Sequence, residues 1–209
     1  MVSRPRLKIC GITRLEDALL LTSLGVHALG FIFFPKSPRY ISPEKATEIT
    51  SKVPPFVQIV GVFVNEERER IREIARFCNL DIIQLHGMES PMFCEELGLP
   101  TIKAIRIRDE TDLDSIPKYR GKVKGILLDT YRKEIPGGTG KVFDWDLAVK
   151  AKRFGIPIIL SGGLRPDNIK LAIERVRPYA LDVNSGVERA PGIKDKKLIK
   201  ELIDIWKKS

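Results

Sequence analysis

The chain has 209 residues, 43% of them apolar and 30% charged, with 36 lysines and arginines against 27 aspartates and glutamates, a formal charge of +9. This composition excludes a largely disordered chain and leaves enough residues for a sizeable core. There is no apolar run near the roughly 18 residues of a membrane span. Three widely spaced cysteines and two histidines exclude a disulfide framework, a zinc-ligand pattern and a histidine-rich metal site.

Read from the N-terminus, short apolar runs alternate with segments of helical period. Strands are predicted at 7–10, 28–34, 57–64, 81–86, 101–107, 125–130, 157–162 and 180–185. Helices are predicted at 15–25, 42–53, 66–79, 90–97, 111–119, 143–154, 166–176 and 195–208. Ser42-Pro43 and Ser90-Pro91 put serine at the N-cap and proline in the first turn, and Pro166 opens another helix. Pro117 interrupts the segment 111–119. Strand–helix alternation implies parallel strands with helical crossovers, and the continuous apolar runs imply strands covered on both faces. Eight such units predict an α/β fold, a (β/α)₈ TIM barrel spanning residues 1–209 as one domain with few insertions. An open dinucleotide-binding sheet would carry a glycine-rich turn after the first strand, where the sequence has Cys10-Gly11-Ile12-Thr13-Arg14.

In this architecture chemistry sits at the C-terminal ends of the strands. Those ends carry Cys10, Gln84, His86, Asp129, Ser161, Asp182 and Asn184. Polar groups there are costly to bury without partners, so their convergence on one rim marks a candidate site. Gln84 and His86 share strand parity, as do Asp182 and Asn184. Ser161-Gly162-Gly163 and Asn184-Ser185-Gly186 follow the seventh and eighth strands, where barrels use backbone N–H groups to bind phosphate. Gly137-Gly138-Thr139-Gly140-Lys141 fails as a P-loop, because Ile135 and Val142 stand where glycine and serine or threonine are needed. The stretch 131–142 is read as a flexible loop, a candidate lid. Cys78 and Cys94 fall in helices and read as structural, and His27 falls at the opposite rim.

The blocks KICGIT (8–13), GFIFFPKSPRYIS (30–42), VGVFVNE (60–66), IQLHG (83–87), LLDT (127–130), GGTGKVFDW (137–145), LSGGL (160–164) and DVNSGVE (182–188) together resemble the phosphoribosylanthranilate isomerases of tryptophan biosynthesis. The resemblance implies an Amadori rearrangement of N-(5-phosphoribosyl)anthranilate to a 1-deoxyribulose 5-phosphate, with no cofactor and no metal. It assigns the general base to Cys10, the general acid to Asp129 and the anthranilate carboxylate to Arg39. It places the phosphate at Gly162, Gly163, Ser185 and Gly186, with Asp182 near the substrate. Gln84, His86, Ser161 and Asn184 complete the expected binding set. An acid working near neutral pH needs a raised pKa, so Asp129 is expected to titrate high. A thiolate base needs a lowered one, and Lys8, on the same strand face as Cys10, is the candidate cation.

Two other readings stay open. Histidine-pathway isomerases, which act on a larger ribonucleotide, resemble this fold but carry aspartate where Cys10 stands. A nucleic-acid-binding protein would fit the +9 charge, but the bases are interleaved with acids rather than gathered on one face. The expected partner is a small phosphorylated substrate, with no nucleic acid and no membrane, and the expected assembly is a monomer or homodimer. The N-terminus MVSRPRLKICGI lacks the long apolar region of a secretory signal, so a cytoplasmic location is expected.

Overall fold

The computed structural model describes residues 4–130 and 145–209, so the predicted lid at 131–142, residues 137–144 of the block 137–145 and the first two residues of the predicted helix 143–154 lie outside the described residues. Eight parallel strands close into a barrel in sequential order: β1 (Arg6–Ile9), β2 (Ala28–Ile32), β3 (Gln58–Phe63), β4 (Ile82–Leu85), β5 (Thr101–Ile107), β6 (Gly125–Thr130), β7 (Ile158–Leu160) and β8 (Ala180–Val183). β8 pairs with β1 through Arg6↔Ala180 to Ile9↔Val183 and closes the ring. The helices are α1 (Leu15–Ser23), α2 (Pro43–Thr50), α3 (Arg68–Phe77), α4 (Pro91–Glu96), α5 (Trp145–Ala151), α6 (Pro166–Val176) and α7 (Lys196–Lys207).

Strand parity divides the core. One parity packs outward against the helices, where Leu7, Ile9, Leu29, Phe31 and Phe63 meet apolar faces such as Ile71 and Ile74 of α3. The other parity fills the barrel, with Ile102, Ala104, Leu127, Ile159 and Ala180 in one cluster and Cys10, Ile32 and Val62 in another. On α7, Ile199, Leu202, Ile203 and Trp206 recur at helical spacing and are buried. Each contributes on the order of 1.5–3 kcal/mol by leaving water. Trp206 Nε1 donates to the Pro5 carbonyl at 2.8 Å, and His27 stands edge-on to its ring, which fixes the bottom of the barrel.

The start signals act as the sequence predicts. Ser42 Oγ accepts from Lys45 N–H and Ser90 Oγ from Phe93 N–H, each followed by proline. Two elements differ from expectation. The predicted helix at 111–119 is a 3₁₀ helix over Glu110–Tyr119, with Pro117 inside it. After β8, a 3₁₀ turn at Ser185–Val187 leads into an unpredicted antiparallel pair, β9 (Glu188–Ala190) and β10 (Ile193–Lys194). Among the described residues, no helix is long and apolar enough to cross a membrane.

Candidate active site

A cavity of about 430 Å³ opens at the C-terminal ends of the strands. It gathers Cys10, Gln84, His86, Asp129, Asp182 and Asn184 with the turns Ser161–Gly163 and Ser185–Gly186. Inward parity carries most of these residues there: Cys10 continues from Lys8, Gln84 from Ile82, Asp129 from Leu127, and Asp182 from Ala180. The same rule delivers Arg106, which follows Ile102 and Ala104 on β5, pairs in register with Asp129 and lines the cavity. Arg106 shares the inward parity of Ile102 and Ala104, the signal in the sequence that points to it.

Beneath Cys10 lies a buried ion pair. Lys8 Nζ donates to both Asp182 carboxylate oxygens at 2.9 Å. Cys10 and Lys8 crowd against the β2 backbone so closely that a Cβ on Gly30 would lie 2.7 Å from Cys10 Sγ and 3.0 Å from Lys8 Nζ. The expected lowering of the Cys10 pKa is not found. Burial is the largest influence and pushes the thiol up, Asp182 adds to it, and the Lys8 ammonium opposes it without prevailing. Lys8 itself is pushed down by burial, but the charges of Asp182 and Cys10 outweigh this and hold it above its ordinary value.

Gln84 is buried, and its Oε1 has no hydrogen-bond partner; the same holds for His86 Nε2. Burial, with Lys8, Lys103 and Arg106 adding positive charge, lowers the His86 pKa to about 3, so the ring is neutral. Both side chains line the same cavity, and buried polar atoms without partners suit a ligand that brings hydroxyl or amine groups. His86 is held from outside the barrel. Lys103 Nζ donates to the carbonyls of Leu85 and Gly87 at 3.2 and 2.8 Å and to Glu89 Oε2 at 3.0 Å, and the Glu89 carboxylate accepts from the N–H groups of Asn65 and Gly87.

At β7 and β8 the two glycine turns face each other. A Cβ on Gly186 would collide with the Leu164 carbonyl, so only glycine lets the turns approach. Among the described residues, the Gly162 and Gly163 N–H groups make no hydrogen bond within the chain. Gly163 instead accepts from Asn168 Nδ2 at 2.9 Å, which ties the turn to the first turn of α6. This cradle offers N–H donors and a helix N-terminus to an anion.

Arg39 does not line the cavity. Its Nε and Nη2 bind both oxygens of Glu188 at 2.7–3.0 Å, a partner that the sequence reading did not single out. Among the described residues, no group of three or more His, Cys, Asp and Glu side chains is placed to hold a metal ion.

Residues 7–205 match the family model of N-(5'-phosphoribosyl)anthranilate isomerase. The N-(5'-phosphoribosyl)anthranilate isomerase of Geotalea uraniireducens is 52% identical over 198 residues, which cover 95% of this chain and 96% of that one. A solved phosphoribosyl anthranilate isomerase in complex with reduced 1-(o-carboxyphenylamino)-1-deoxyribulose 5-phosphate superimposes with a TM-score of 0.88 at 44% identity, covering 98% of this chain and all of that one. Monomers generated from the dimeric enzyme of Thermotoga maritima give a TM-score of 0.88 at 43% identity with the same coverage. The chain therefore belongs to the phosphoribosylanthranilate isomerase family.

Proposed function

We propose that the chain, as one catalytic barrel, isomerises N-(5-phosphoribosyl)anthranilate, with Asp129 as general acid and Cys10 as general base. The observation that carries this is the order of groups around the rim. The anion cradle of β7 and β8 lies between Asp129 on β6 and Cys10 on β1. A phosphate held in the cradle puts the attached sugar within the cavity that both groups line.

Asp129 protonates the furanose ring oxygen, and the C1′–O bond breaks to give the Schiff base. Cys10 thiolate removes the C2′ proton, and the electron pair moves to the imine nitrogen to give the enolamine. Tautomerisation then yields the ketone. A thiol lifted by burial is a stronger base when ionised and a scarcer one at neutral pH. Lys8 and, more weakly, Lys194 restrain this rise. Gln84 Oε1 and neutral His86 accept from sugar hydroxyls or the substrate amine. Arg39 takes the anthranilate carboxylate through Nη1, the nitrogen that Glu188 leaves uncommitted.

The alternative substrate is the larger ribonucleotide of the histidine-pathway isomerases. Side-by-side assays decide between them: turnover of phosphoribosylanthranilate alone supports this reading, and turnover of the ribonucleotide alone overturns it. The dimeric relative from Thermotoga maritima supports a homodimer here. Sedimentation at one protomer mass would contradict that assembly.

A further inference from the structure

The unpredicted hairpin brings a lysine under the site. Lys194, on β10, has no exposed side-chain surface. Its Nζ donates to the Cys10 carbonyl at 2.5 Å, to Glu188 Oε1 at 2.9 Å, and to the Asn184 carbonyl and Asn184 Oδ1, both at 3.2 Å. Burying an ammonium is costly, and a buried ion pair is on its own a poor stabiliser compared with apolar packing. What this one does is tie two residues of the cavity wall, Cys10 and Asn184, to Glu188, the partner of Arg39.

We propose that Lys194 is a positioning residue, which sets the Cys10 turn, the Asn184 amide and, through Glu188, the Arg39 guanidinium in one arrangement. The proposal rests on the functional reading above.

Each link has a chemical consequence. The Asn184 oxygen is committed to the ammonium, so the amide turns its NH₂ away from Lys194, and Asn184 lines the cavity. The Cys10 carbonyl is pinned on one side of the residue while its N–H donates to Val183 O at 2.8 Å on the other, which fixes the backbone that aims the thiol. Glu188 spans Lys194 and Arg39, and its carboxylate is held below the usual range: burial raises it, but the bonds and charges of Arg39 and Lys194 more than offset this. It occupies the Nε–Nη2 edge of Arg39, and among the described residues it leaves Nη1 for another anion. A Cβ on Gly11 would lie 2.6 Å from Asn184 Oδ1 and 2.9 Å from Arg39 Cδ, so both side chains converge on the residue after Cys10. Without the ammonium, the amide can flip and the Glu188–Arg39 pair keeps only the Gly192 N–H, 3.2 Å from Glu188 Oε1, on that side.

The test compares wild type, Lys194→Met, Lys194→Arg and Glu188→Gln, with kcat and KM measured on phosphoribosylanthranilate and inhibition measured with inorganic phosphate. Lys194→Met is expected to raise KM at least tenfold and to lower kcat. Lys194→Arg should recover part of both losses. Inhibition by phosphate should weaken less than KM rises, because Lys194 reaches the cradle only through the Asn184 carbonyl beside Ser185 and makes no bond to the 162–163 turn. Folded Lys194→Met with kcat and KM within twofold of wild type overturns the proposal, as does loss of phosphate affinity in step with KM, which marks general collapse. Should Lys194→Met fail to fold, Glu188→Gln carries the test: a KM rise of at least fivefold supports the proposal, and a smaller change overturns it. A wild-type protein without turnover overturns the functional reading and this proposal together; active wild type with an unaffected Lys194→Met overturns only the role of Lys194.

Discussion

Replacing Lys103 with methionine removes the cation that pins the segment from Leu85 to Glu89. Lys103 and Glu89 have 4% and 2% of their side-chain surface exposed, so neither charge can turn to water when its partner is lost. In Lys103→Met, Glu89 keeps the N–H groups of Asn65 and Gly87 but loses its counter-charge, and the carbonyls of Leu85 and Gly87 each lose a donor. Breaking a buried pair from one side costs about 3–5 kcal/mol. At this chain length that lowers Tm by roughly 6–20 °C. Urea unfolding of Lys103→Met, Glu89→Gln and the double variant is the assay. In the double variant a neutral amide replaces the carboxylate that Lys103→Met strands, so its loss should be smaller than the sum of the single losses by about 1–3 kcal/mol. A loss below about 1 kcal/mol in Lys103→Met, or strict additivity, would refute the reasoning that the pair is desolvated and coupled.

Other outcomes follow from the same geometry. The folded His86 ring resists protonation down to about pH 3, whereas an unfolded histidine takes a proton near 6.5. Its contribution is therefore present above pH 6.5 and is lost as pH falls, by about 1.4 kcal/mol per unit or roughly 2 kcal/mol at pH 5. Thermal melts of His86→Asn should show a shallower acid slope than wild type, and parallel slopes would contradict the assignment. Because burial raises the Cys10 thiol and Lys8 opposes it, kcat/KM should climb with pH from neutral into the alkaline range. In Lys8→Met the climb should move to higher pH; a limb that stays in place would separate Lys8 from the thiol. Gly186→Ala drives a methyl group into the Leu164 carbonyl, so inorganic phosphate should inhibit at least tenfold less well, and unchanged inhibition would remove these turns as the anion site.

The barrel was legible because its signals are local. Short segments rich in apolar residues, such as Gly125–Thr130 and Thr101–Ile107, are strands with the bounds read from sequence, and the serine–proline starts of α2 and α4 are found where expected. The rim residues were legible through strand parity, a period of two that survives folding unchanged. What the sequence hid is pairing between distant charges. Lys194 and Cys10 are 184 residues apart, and Lys194 reads as one more surface lysine in a basic tail until the β9–β10 hairpin turns it inward. Three- and two-residue strands are too short to leave a periodic signal. Glu188 closes the block that resembles the family, yet only its bonds to Arg39 and Lys194 reveal what it does. The Cys10 pKa departs from expectation for a related reason: parity locates the nearby cation, but the depth of burial that outweighs it is a property of the packed barrel.

The proposed chemistry needs two groups acting across one sugar. Initial rates of Cys10→Ala and Asp129→Asn on phosphoribosylanthranilate, with folding checked by circular dichroism, test this most directly. Loss of a positioned acid or base predicts a fall in kcat of about 10²–10⁴ for each variant, with phosphate inhibition retained. Turnover near the wild-type rate by either folded variant would contradict the role assigned to that residue.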